Sequence, residues 1–67
     1  MDIVKKFGLR IKQLRLNNGM SQGGLSKKLG VGASYVSKIE RGEQNVSLRG
    51  LDRLAKALGV SVNDLLK

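Results

Sequence analysis

The chain of 67 residues has no cysteine, histidine, proline or tryptophan, and Phe7 and Tyr35 are its only aromatic residues. Without Cys or His there is no disulfide framework, and a structural zinc site is not expected. The core must come from aliphatic packing, in a chain near the lower size limit for folding unaided. With neither proline nor any low-complexity linker or repeat, one domain is expected over residues 1–67. No apolar run approaches the ~18 to 20 residues needed to cross a bilayer. The opening Met1-Asp2-Ile3-Val4-Lys5-Lys6 lacks the apolar segment of a signal peptide. These absences predict a soluble, cytoplasmic protein with no membrane partner. Acidic residues are also scarce: five Asp and Glu face thirteen Lys and Arg, a formal net charge of +8. Such an excess suits polyanions, because Lys and Arg that neutralise phosphates release condensed counterions. Nucleic acid, an anionic membrane surface and an acidic protein all fit, as does a merely solvated basic surface.

The residues present partition the chain into helices. Gly19, Gly30, Gly42 and Gly59 each follow a helical-period segment, where a helix C-terminus favours a residue without Cβ. Asp2, Ser21, Ser47 and Ser61 stand where a side-chain oxygen can accept from a first-turn N–H. Together they predict an all-α fold of five helices, at about 2–18, 21–29, 32–41, 47–58 and 61–66. Ile3, Phe7, Ile11 and Leu14 recur on one face of the first, and Leu48, Leu51, Leu54, Ala55 and Leu58 on one face of the fourth. Arg49, Arg53 and Lys56 face away from that stripe. The two short middle helices supply Leu25, Leu29, Val36 and Ile39, with Val31 and Val60 plugging turns. Nothing alternates with period two.

The window Gln22 to Arg41, QGGLSKKLGVGASYVSKIER, is the informative one. Two short helices meeting across a tight turn need facing apolar residues, here Leu25 and Leu29 against Val36 and Ile39. They also need a turn residue that tolerates positive φ, here Gly30, and a small residue, Ser26, where backbones approach closely. A plain αα-hairpin satisfies the same spacing.

Here the sequence resembles the phage-repressor/Cro type of helix-turn-helix regulators. The resemblance covers nearly the whole chain, through the lead-in GLRIKQLRLNNGMSQ, the helix pair, the exit SKIERGEQNVSL and the closing LDRLAKALGVSVNDLL. It implies a compact five-helix bundle, lambda-repressor-like, with a helix-turn-helix at about 22–41 and the third helix in the DNA major groove. It places base-reading positions at Gly32, Ala33, Ser34, Ser37 and Lys38. Groove chemistry lets Lys38 donate to guanine, Ser34 and Ser37 donate or accept, and Ala33 touch a thymine methyl. Ser34 has the alternative of bonding its own helix start, and Lys38 that of a phosphate or solvent. So small-chained a face predicts modest direct readout, with DNA shape contributing.

The resemblance also sets Gln22 against the DNA backbone, beside the first N–H groups of its helix, and Arg41, Gln44 and Asn45 in an exit loop along the other strand. Tyr35 has two readings, a phosphate contact or packing against that loop. Lys27 and Lys28 are steering charges. An Arg15–Glu40 ion pair is implied between the first and third helices. Relatives usually carry helix formers at Gly23 and Gly24, Ala at Ser26 and an acid at Gly50, so the second helix should be weak, and Glu at Gly24 or Gly50 should stabilise the fold.

The implied function is that of a transcriptional regulator binding double-stranded DNA, as a homodimer on a palindromic operator. Val62, Leu65 and Leu66 either supply the two-fold contact or complete the monomer core. Neither a cofactor nor a small-molecule substrate is expected. The five acids form no pair with active-site spacing, and Gly23-Gly24 opens no phosphate-binding loop, so an enzyme is not expected. The remaining competitor is a protein-interaction or antitoxin module on the same fold.

Overall fold

The computed structural model describes residues 2–67, and among them the chain forms five α-helices and no strand. They are α1 (Ile3–Asn17), α2 (Gln22–Leu29), α3 (Ser34–Glu40), α4 (Leu48–Leu58) and α5 (Val62–Leu65). Local chemistry sets most boundaries. Asp2 accepts from Val4 N–H, Ser21 from Gly24, Ser47 from Gly50 and Ser61 from Asp64. Each satisfies a donor that the helix itself leaves orphaned. Only α5 has the reciprocal half, in which the Asp64 carboxylate accepts from Ser61 N–H. At the end of α2, Gly30 adopts φ 71°, and Val31 N–H returns to the Ser26 carbonyl at 3.1 Å. A side chain at Gly30 would be strained in this left-handed turn, which aims the chain into α3.

The helices close on Ile11, Leu25, Val36, Ile39, Leu54, Leu58 and Leu65, all essentially inaccessible, with Leu14, Leu29, Ala55 and Ala57 around them. Because α2 and α3 are too short to persist alone, this burial holds them in place. Arg10 Nε donates to the Asp64 carbonyl at 2.8 Å and Asn18 Nδ2 to the Leu58 carbonyl at 3.3 Å, tying α1 to the C-terminal helices. The molecule measures 28 × 23 × 22 Å.

Several expectations need correction. Helix α3 begins at Ser34 rather than at residue 32, so Gly32 and Ala33 belong to the turn, where Tyr35 N–H bonds the Gly32 carbonyl at 3.1 Å. Ala33 offers no oxygen to cap the helix, which is why the sequence carries no start signal there. Ile3 and Leu48 share the apolar stripes but are 76% and 85% exposed, each as the first residue of its helix. Ala57 is buried although it lies off the expected stripe. Arg53 does not simply face away: its guanidinium donates to the Leu29 carbonyl at the end of α2. Leu65 is core, Val62 packs against the core and only Leu66 stays exposed, so that trio is no common surface. A Cβ on Gly50 would lie 2.7 Å from Val46 Cγ1, a crowding that opposes the gain expected from Glu there.

One residue was missed entirely. Gly8 is buried in the middle of α1, and a Cβ there would overlap the Ile39 carbonyl oxygen. Its absence lets α1 cross α3 with backbone against side-chain-free backbone. Periodicity gives no sign of this, because the partner lies 31 residues further along the chain.

Candidate nucleic-acid interface

The inner side of α3 is fixed from three directions. Val36 and Ile39 are fully buried, Gly8 abuts the Ile39 carbonyl, and Glu40 is held by an ion pair. Arg15 Nε meets Glu40 Oε2 at 2.7 Å and Arg15 Nη2 meets Oε1 at 3.0 Å, with the two side chains 8% and 4% exposed. The remaining guanidinium nitrogen donates to the Met20 carbonyl at 2.7 Å. A planar fork of donors matches a carboxylate at this geometry, where a lysine could not. Burial by itself would raise the Glu40 pKa; hydrogen bonds from Arg15 and Gln22, with the nearby charges of Arg15 and Lys12, outweigh it and hold the carboxyl below its ordinary value.

The outer side is open. Of the five expected base-reading positions, Gly32, Ala33, Ser34 and Lys38 are exposed and Ser37 is half-buried, the first two in the turn and the other three on α3. Ser37 Oγ donates to the Ser34 carbonyl at 2.9 Å, which leaves the oxygen free to accept. A Cβ on Gly32 would touch nothing within 4 Å. Lys38 is the one long side chain among the five.

The expected phosphate ligands flank this surface in different states. Gln22 opens α2, exposed, and its Nε2 donates to Glu40 Oε1 at 3.0 Å. Tyr35 is half-buried against the core, and its hydroxyl oxygen lies 3.3 Å from where a Gly50 Cβ would be, at the start of α4. Arg41 is exposed and paired with Glu43 at 3.1 Å, a screened surface contact that a phosphate can compete for. In the exit loop Gln44 donates to the Asn45 carbonyl at 3.1 Å. Gln44 and Asn45 also line a groove of about 340 Å³ with Ile3, Phe7, Val46, Leu51 and Leu66.

Residues 11–65 match the helix-turn-helix family. The chain belongs to this family of transcriptional regulators. Among its members, the control protein C.BamHI of Bacillus amyloliquefaciens is 44% identical over 61 residues, covering 90% of this chain and 75% of that protein. The HTH-type transcriptional regulator SinR of Bacillus subtilis is 47% identical over 61 residues, again 90% of this chain but 55% of the regulator. A hypothetical transcription factor of Neisseria meningitidis is 34% identical over 97% of this chain and 61% of its own length. The matched stretch thus spans three quarters of C.BamHI but less than two thirds of the other two relatives. Among solved structures, the restriction-modification controller protein C.AhdI from Aeromonas hydrophila superposes with a TM-score of 0.88 at 42% identity, covering 92% of this chain and 94% of that one. SinR, solved in complex with DNA, superposes with a TM-score of 0.84 at 45% identity over 91% of this chain and 98% of that one. Among the described residues, no helix of this helix-turn-helix protein is long and apolar enough to cross a membrane.

Proposed function

We propose that this chain regulates transcription in the cytoplasm by setting α3 in the major groove of one half of a palindromic operator. The observation that carries this is the two-sidedness of α3, with Val36, Ile39 and the Glu40 ion pair buried on one side and Ser34 and Lys38 exposed on the other, in a chain of net charge +8. In this reading Ala33, Ser34, Ser37 and Lys38 meet base edges, Lys38 with the only long reach. Gln22, Tyr35, Arg41, Gln44 and Asn45 meet phosphates and set the register. Its role is binding rather than catalysis.

One such domain covers a half-site, so a homodimer on half-sites about 34 Å apart completes the reading. Two copies of charge +8 repel, and a contact surface without charge adds nothing to that repulsion. The groove beside Ile3, Phe7, Val46, Leu51 and Leu66 has no charged residue in its lining, and the exposed Leu48 adds to the apolar surface. That face, rather than Val62, Leu65 and Leu66 together, is the proposed two-fold contact.

Selection from a random duplex library tests the proposal. Enrichment of a palindrome is the expected result, with Leu48→Asp weakening binding to the full palindrome more than to a half-site. An absence of enrichment over input at low salt would point instead to a protein-interaction module.

A further inference from the structure

The buried ion pair of α3 reaches the surface through one hydrogen bond, from Gln22 Nε2 to Glu40 Oε1 at 3.0 Å. We propose that Glu40 is a positioning residue for DNA binding, orienting the Gln22 carboxamide toward the phosphate backbone. An ionised carboxylate accepts and never donates, so the amide of Gln22 cannot turn over. Its nitrogen stays on the Glu40 side, with one hydrogen engaged there and the other free for a phosphate oxygen. A carboxylate so close to DNA would repel the backbone if it stood alone. Arg15 prevents this, since both its Nε and Nη2 bind Glu40 and offset the charge at 2.7 and 3.0 Å. The same guanidinium binds the Met20 carbonyl, two residues before Gln22, so the chain entering α2 is held by the group that neutralises Glu40. Gln22 itself is exposed, and a free glutamine would lose rotamer freedom on meeting DNA; held in advance, it loses less. The ion pair therefore does two things, locking α3 to α1 and presetting a donor on α2.

This inference rests on Gln22 as a phosphate ligand, and a double-mutant cycle separates the two claims. The probe is a duplex recovered by the library selection, titrated with the wild-type protein, Gln22→Ala, Glu40→Gln and the double variant. Loss of a hydrogen bond to a charged group predicts a roughly tenfold weaker Kd for Gln22→Ala in the Glu40 background. In the Glu40→Gln background the same change is expected to cost less than about twofold, because the amide is no longer oriented there. Equal losses in both backgrounds would overturn the positioning role while leaving the phosphate contact standing. No loss in either would remove both. Should Glu40→Gln fail to fold, side-chain amide NMR of the wild type decides alone. One Gln22 Nε2 proton protected from exchange in the free protein, with the second shifting on addition of duplex, is expected. Two freely exchanging protons overturn the proposal.

Discussion

The two sides of α3 obey opposite rules. Inward, every position is constrained: Val36 and Ile39 are fully buried, a missing Cβ at Gly8 admits the Ile39 carbonyl, and Glu40 carries three hydrogen bonds. Outward, Gly32 and Ala33 of the turn and Ser34, Ser37 and Lys38 of α3 offer one long side chain, two hydroxyls, a methyl and a bare backbone. The helix is thus placed by tight packing and furnished with little. In such an arrangement affinity leans on where the helix is held and on phosphate contacts, and less on base-edge hydrogen bonds.

The largest effect is expected on the inner side. Gly8→Ala would drive α1 from α3, opening the core and stretching the Arg15–Glu40 pair together. Overpacking alone costs about 1 to 3 kcal/mol, and in a domain of about 5 kcal/mol the combined loss should abolish cooperative thermal unfolding by circular dichroism. A two-state transition near the wild-type midpoint would contradict the crossing described above.

Glu40→Ala comes next. It strands a buried guanidinium, expected to cost about 3 kcal/mol, whereas Lys38→Ala on the outer side should stay within about 0.5 kcal/mol. Equal melting temperatures for the two would erase the contrast between the faces. Acid provides a second measurement. The Glu40 carboxyl titrates below its unfolded value of about 4.3, so its contribution is present above that pH and is lost as pH falls through the lowered value. The wild type should therefore lose melting temperature below about pH 4 more steeply than Glu40→Gln.

Smaller changes sharpen the picture at α2. Ser26 is buried, and its hydroxyl finds no hydrogen-bond partner among the described residues. Ser26→Ala should raise stability by about 1 kcal/mol, read as a higher denaturation midpoint at unchanged m-value. Smallest is the pair Gly23→Ala and Gly50→Ala. A Cβ at Gly23 meets nothing within 4 Å, so roughly 0.5 kcal/mol should be gained, while crowding against Val46 at Gly50 should cancel the gain. Parallel shifts in melting temperature would show that Val46 yields freely.

What could be foreseen from the sequence divides along the same physical line. Serine caps and terminal glycines act within a turn or two of chain, and Ser21, Ser47, Ser61, Gly30 and Gly59 stand where local chemistry puts them. Most buried aliphatics follow from helical period; Ala57, buried off the stripe, and Ile3 and Leu48, exposed on it, depend on neighbours that a periodic pattern does not contain. Gly8 was invisible because an interior glycine looks like a weak helix position until a second helix is laid across it. The Arg15–Glu40 pair came from resemblance and not from spacing, and the Gln22 branch of that network from neither. Polar and small residues marked the exposed positions of the proposed interface, but the partners their side chains engage were not legible. That Arg41 is tied to Glu43 and Ser37 to its own helix depends on rotamers and close partners.

Gly32 shows how such a protein can change its target. A Cβ there would meet nothing within 4 Å, so a side chain can start at this position, on the proposed reading surface, without crowding the core. Ala33, exposed beside it, sits on the same uncommitted surface. On the proposed reading, a change at these two positions alters base contacts without disturbing the packing that holds α3, so mutation there can explore new operators without first passing through unstable intermediates.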